Sequence, residues 1–203
     1  MEYFTTGFGK YVGNHDKIRC EHDGFTLIAM VEYDYHMGEP WKEHDCHGDV
    51  SDWTSRAKAP GEVIIKQDGC NYRYYDMAGA VAKAKQEGWG CRLPDGTYEL
   101  PGETKGQIAV RAAQHDYVMM KAWCDDMWYW CHVTVKIKRD GVALGCAALG
   151  GIECNYPGSD NAYLLEVANE LVDEAMDEAK AKLAELVAKW QFAIAVDTDI
   201  SDK

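Results

Sequence analysis

An α+β fold with mainly antiparallel pairing is predicted by three patterns along the chain. Apolar and polar residues alternate in paired runs joined by Asp-Gly turns, apolar residues recur at helical spacing in three other stretches, and the two kinds of pattern interleave. The order reads strand, hairpin, helix, linker, helix, hairpin, helix. That order predicts an antiparallel sheet of β-hairpins packed against about three helices, the last of them long and acidic.

Gly7-x-Gly9-x-x-x-Gly13 has neither dinucleotide-binding spacing nor a preceding strand, so the first residues read as a flexible or looped arm with no nucleotide site. Residues 25–35 form the first strand. Phe25, Leu27, Ala29, Val31, Tyr33 and Tyr35 line one face, and Ile28 and Met30 make the other partly apolar, which predicts a central position in the sheet. Residues 36–60 have no periodicity and read as a long ordered loop, with Ser51 or Asp52 starting a short helical turn. Two short runs, 62–66 and 72–75, bracket Gln67-Asp68-Gly69 and predict a hairpin. Asp76 caps a helix to about Glu87, with Val81 and Ala84 on one face and Gly88 as its stop. Pro94, Gly96, Pro101, Gly102 and Gly106 make 91–106 linker-like. The chain therefore divides into lobes at 1–90 and 107–203, or folds as one compact domain. Ala113, Tyr117, Met120 and Cys124 mark a helix over 107–126.

From Trp128 the alternation resumes, with Tyr129, Cys131, Val133, Val135 and Ile137 opposite His132, Thr134, Lys136 and Lys138. Asp140-Gly141 predicts a type I′ turn, because both central residues need positive φ. The return strand, 142–152, is expected to bury Val142, Leu144, Cys146 and Ala148. Its other face, Ala143, Gly145 and Ala147, is nearly bare and needs a bulky cover, for which Trp128 and Trp130 or a partner surface are the candidates. After the Pro157-Gly158-Ser159-Asp160 loop, Leu164, Ala168, Leu171, Ala175, Ala179, Leu183, Leu186 and Trp190 recur in steps of three and four. The opposite side carries Glu166, Glu170, Asp173, Glu174, Asp177 and Glu178 with no intervening cation.

Composition bounds the function classes. The chain has 203 residues, 47% hydrophobic and 11% aromatic, enough for one well-packed core or two small ones. A formal net charge of -13 argues against direct binding to nucleic acid or an anionic membrane and suits a basic partner, including proteins that bind nucleic acid. The first residues show no secretory pattern and no run is apolar enough to span a bilayer, so a cytoplasmic location is expected. Eight widely spaced cysteines without a Cys-x-x-Cys pair read as free thiols, with Cys131 and Cys146 at inward strand positions.

Two stretches are candidates for a site. In the loop, His44, Asp45, Cys46, His47 and Asp49 include the residue types that hold a transition metal, but their spacing matches no zinc signature, and the same side chains suit bracing of the loop between Trp41 and Trp53. No cofactor is expected. Nucleotide-binding, zinc-protease, serine-hydrolase and deaminase motifs are absent from the sequence, so no catalytic residue is assigned. The six helix carboxylates occupy about 18 Å of the axis, roughly 3 Å per charge, close to the roughly 3.4 Å per phosphate of a DNA strand. They read either as a phosphate-mimicking contact surface or as a solvated face.

His-Asp-x-His-Gly-x-Val-Ser-x-Trp at 44–53, with Pro-Trp at Pro40-Trp41, Pro-Gly-Glu at 60–62, Tyr-Tyr-Asp at 74–76 and Gly-Trp at Gly88-Trp89, resembles an uncharacterised group of bacteriophage and prophage proteins. The likeness extends over 128–175. Cys46 stands where a small residue such as Gly is expected. The resemblance implies a phage protein acting in the host cytosol and brings no activity with it. Together with the charge and the acidic helix, it leads to the expectation of a binding protein that inhibits a host nucleic-acid-handling defence complex, as anti-CRISPR or antirestriction proteins do. The alternatives are a metalloprotein or enzyme using the His44 to His47 loop, and a structural or accessory phage protein.

Overall fold

The computed structural model describes residues 2–90 and 100–201, with side chains through Gln191. The fold is α+β, with two antiparallel sheets and four helices among the described residues. β1 (Lys17–His22), β2 (Phe25–Tyr33), β5 (Tyr129–Arg139) and β6 (Val142–Cys154) form one sheet in the order β1-β2-β5-β6. β3 (Glu62–Asp68) and β4 (Asn71–Asp76) form the other. The helices are α1 (Pro40–Glu43), α2 (Met77–Glu87), α3 (Lys105–Cys124) and α4 (Ala162–Ser201).

The chain divides into two compact units, one of Met1–Asp34 with Trp130–Lys203 and one of Tyr35–Tyr129. The expected division at 91–106 differs from this one. α2 and α3, which flank that segment, pack on each other within the second unit, so residues on both sides of it share one core. Residues 91–99 themselves lie outside the described ones.

In the first unit β2 is central, as its two apolar faces predict, and Leu27, Ala29 and Val31 are fully buried beside Ile137, Val135 and Val133 of β5. Tyr35, expected on the inner face, is 84% exposed because the strand ends at Tyr33. β1 goes beyond the sequence expectation. Its inner side, Ile18, Cys20 and His22, is only half-buried at the sheet edge, and Asp23-Gly24 turns it into β2 with φ of 50° and 77°. Asp140 and Gly141 have φ of 50° and 82°, the positive pair that a type I′ turn needs.

β6 departs from the simple alternation. Leu144 and Gly145 are buried in succession and then Ala147, whereas Val142, Cys146 and Ala148 are exposed. α4, not Trp128 or Trp130, covers Gly145: a Cβ there would run into the Ala175 carbonyl and the Ala179 backbone. The bare face is bare because a helix backbone lies on it. Trp128 is instead buried in the second unit, where its indole N–H donates to the Met119 carbonyl at 2.9 Å.

The N-terminal arm is looped but anchored. Asn169 of α4 accepts from the backbone N–H groups of Tyr3 and Phe4, both at 2.8 Å, and Phe4 and Val12 are buried. Asn161 donates to the Lys10 carbonyl and to Asn155, each at 2.9 Å.

In the second unit, α2 starts on the Asp76 side chain, which accepts from Gly79 N–H at 2.9 Å, and ends at Gly88 in the left-handed conformation. The β3–β4 turn is one residue later than expected. Asp68 pairs with Asn71, so Gly69 and Cys70 occupy the turn, with positive φ at Gly69. No helical turn forms at Ser51 or Asp52. Val50 and Thr54 bridge to Tyr75 and Tyr72 of β4 instead, and the Ser51 hydroxyl accepts from Tyr74 N–H at 2.9 Å.

Candidate functional site

α4 runs 40 residues from a loop in which the Asp160 side chain accepts from Ala162 N–H at 3.0 Å. Leu164, Ala168, Val172, Ala175, Met176 and Ala179 are its buried side. The apolar stripe expected to continue through Leu186 and Trp190 does not stay buried: these residues are 45% and 70% exposed, so packing ends at about Ala179. Up to that point the helix is held close to β6 by small residues, which fixes its opposite side outward.

Glu166, Glu170, Asp173, Glu174, Asp177 and Glu178 are all exposed on this outward side, and the first cation along the helix is Lys180. Two of the six also bond within the unit. Asp173 accepts from the Tyr3 hydroxyl at 2.7 Å, and this bond to a carboxylate raises the Tyr3 pKa above its usual value. Glu178 accepts from Cys146 N–H at 2.7 Å, which gives a backbone donor of the sheet-edge strand β6 a partner. The remaining four, Glu166, Glu170, Glu174 and Asp177, follow spacings of four, four and three and form one stripe along the helix.

The second candidate is the loop that follows α1. His44 sits at the C-cap of α1, its N–H on the Pro40 carbonyl at 3.1 Å, and its ring centre lies 6.3 Å from that of His47. Asp45 and Cys46 are exposed in a turn. Asp49 is exposed and joins β4 through its carbonyl, which accepts from Asp76 N–H at 2.9 Å. His44, Asp45, His47 and Asp49 therefore do not converge, and among the described residues no group of three or more His, Cys, Asp or Glu is placed to hold a metal ion.

His47 turns inward to a residue the motif does not contain. Its Nδ1 donates to Asp116 of α3 at 2.6 Å, while the other oxygen of Asp116 accepts from Gly48 N–H at 2.8 Å and the Tyr75 hydroxyl at 2.7 Å. Asp116 is buried, 8% exposed, and its two oxygens are satisfied by these three donors. Burial first, and then the Asp116 charge, push the Tyr75 hydroxyl far above the usual phenol range, so it stays a neutral donor. Gly48 has no room for a side chain, since a Cβ would lie 2.5 Å from the Tyr75 ring. Lys83 closes the loop by donating to the His47 carbonyl at 3.1 Å. A carboxylate on Nδ1 fixes the imidazole's tautomer and orientation, as general bases require. The same bonds tie loop, sheet and helix together.

Asp116 was open to detection in the sequence. It stands in the stripe Ala109, Ala112, Ala113, Asp116, Met120, an acid at an apolar helix position, where a buried carboxylate must find donors. Among the described residues, no helix is long and apolar enough to cross a membrane. Comparison with protein-family models, with curated proteins and with solved structures finds no match to the chain.

Proposed function

We propose that the chain is a binding protein whose acidic α4 face docks on a basic, nucleic-acid-binding groove of another protein and blocks it, in the manner of antirestriction or anti-CRISPR inhibitors. The observation that carries this reading is the outward stripe Glu166, Glu170, Glu174 and Asp177 on a helix fixed by its opposite side, with no Lys or Arg between Ala162 and Ala179. A pre-set row of charges loses little freedom on docking, so its attraction to a complementary surface is not spent on ordering it. The net charge of -13 extends the field that steers such an encounter. The resemblance to phage and prophage proteins supports a host defence complex in the cytoplasm as the target.

The test is competition. A host protein captured by the immobilised chain is challenged with duplex DNA and, separately, with the chain carrying Glu166→Gln, Glu170→Gln, Glu174→Gln and Asp177→Asn. The proposal expects DNA to release the captured protein and the variant to fail to compete. Retention in the presence of saturating DNA contradicts occupation of a nucleic-acid groove.

A further inference from the structure

The second unit contains a depression of about 230 Å³ lined by Glu39, Trp53, Lys66, Arg73, Trp123 and Cys124. Its construction is unusual for an acidic chain. The Arg73 guanidinium carbon lies 5.4 Å from the Trp41 ring centre and 5.3 Å from that of Trp53, so two indoles contact the cation. Trp41 in turn meets Trp123 edge-on with ring centres 5.3 Å apart. Arg73 Nη2 donates to Glu39 at 2.7 Å, but its Nε, shielded from solvent, has no hydrogen-bond partner. A buried donor without an acceptor is costly and rare in native proteins, and a bound ion or other acceptor is one way in which it is completed.

The other walls define what would complete it. Lys66 is one-third exposed and shares Asp125 with Lys121, at 2.9 Å and 2.7 Å, so Asp125 keeps a cation even when Lys66 turns to a new acceptor. Trp53 is 45% exposed, a large aromatic surface at the rim. Burial pushes the Cys124 thiol up to about 11, which leaves it a neutral wall and not a nucleophile. The volume holds one ring and one small charged group, well short of the roughly 300–1,000 Å³ of sites for drug-sized ligands.

We infer that this depression is a binding site for a small aromatic anion, its ring on the indoles of Trp53 and Trp123 and its carboxylate or phosphate between Lys66 and Arg73. Such an anion supplies the acceptor that Arg73 Nε lacks. All six lining residues belong to the second unit and α4 to the first, so the inference does not depend on the role of the α4 surface.

The experiment follows the indole N–H signals of the full-length protein by NMR during titration with phenyl phosphate, benzoate and benzylamine. Trp53 and Trp123 are assigned from their single Phe variants. The expected result is saturable shifts of both signals with an anionic probe and none with benzylamine. The stronger of phosphate and carboxylate identifies the source of the anion. Lys66→Met and Trp53→Leu should each weaken binding about tenfold or more, the scale of one charge-assisted hydrogen bond or one stacked ring. No saturable shift with either anion, equal binding of benzylamine, or unchanged affinity in a folded variant overturns the inference. Should one variant fail to fold, the other variant and the charge preference of the wild type decide.

Discussion

His47 and Asp116, 69 positions apart in the chain, meet at 2.6 Å with the carboxylate buried and the imidazole mostly so. Asp116, on α3, thereby becomes the shared acceptor for a loop and a strand. Replacing it with Ala leaves the Gly48 N–H without its acceptor and the Tyr75 hydroxyl with only the Ala113 carbonyl at 3.3 Å, and should cost about 3 kcal/mol. Asp116→Asn keeps an acceptor oxygen and should cost less. Chemical denaturation of the two variants checks the order; equal and small losses would show that the cluster contributes little.

Acid stability should depend on Glu62. Arg56 donates to it from Nη1 and Nη2 at 2.7 and 2.5 Å, and Ala59 N–H at 2.7 Å; these bonds hold its pKa at about 2 instead of the ordinary 4.5. A folded-state pKa below the unfolded one means the contribution is complete above the unfolded value and is lost as pH falls through the folded one. The difference in melting temperature between wild type and Glu62→Gln should therefore be constant above about pH 4.5 and shrink toward pH 2. A difference that widens on acidification contradicts this.

Two glycines on one hairpin should respond differently. Gly141 has φ of 82° and open space around it, so Gly141→Val strains only the turn and should cost about 1 kcal/mol. At Gly145 any side chain pushes against the α4 backbone, and even Gly145→Ala should cost about 3 kcal/mol. Equilibrium unfolding of both variants measures the contrast, and a Gly145→Ala protein as stable as wild type would show that α4 yields easily.

The contrast also marks how far the sequence was legible. Local signals were: the Asp140-Gly141 turn, the Asp76 cap and Gly88 stop of α2, and the two apolar faces of β2 all follow from a few neighbouring residues. What escaped depends on distant partners. β1 was hidden because an edge strand buries little and its Lys17, Arg19 and Glu21 dilute the apolar signal. The bare side of β6 advertised a cover but not its identity, since a tryptophan and a helix backbone both fit against glycine. Leu186 and Trp190 carried the helical period of α4 beyond the sheet that buries its first half. In the sites, the six carboxylates were readable as an outward stripe, whereas the internal bonds of Asp173 and Glu178 required Tyr3 and Cys146 to be placed. The His44 to Asp49 cluster looked like a ligand set because spacing cannot show that His47 turns to Asp116.

The stripe on α4 is tested most directly by the salt dependence of binding to the captured host protein. Affinities of wild type and of the chain with Glu166→Gln, Glu170→Gln, Glu174→Gln and Asp177→Asn are compared at low and high ionic strength, with circular dichroism to verify folding. Asp173 and Glu178 are kept because their bonds to Tyr3 and Cys146 support the fold. Wild-type binding should weaken as the screening length falls below about 10 Å. The variant should bind at least about tenfold more weakly at low salt and show a flatter salt response. A folded variant that binds as tightly as wild type at both ionic strengths would make the stripe a solvated helix face and contradict the proposed docking.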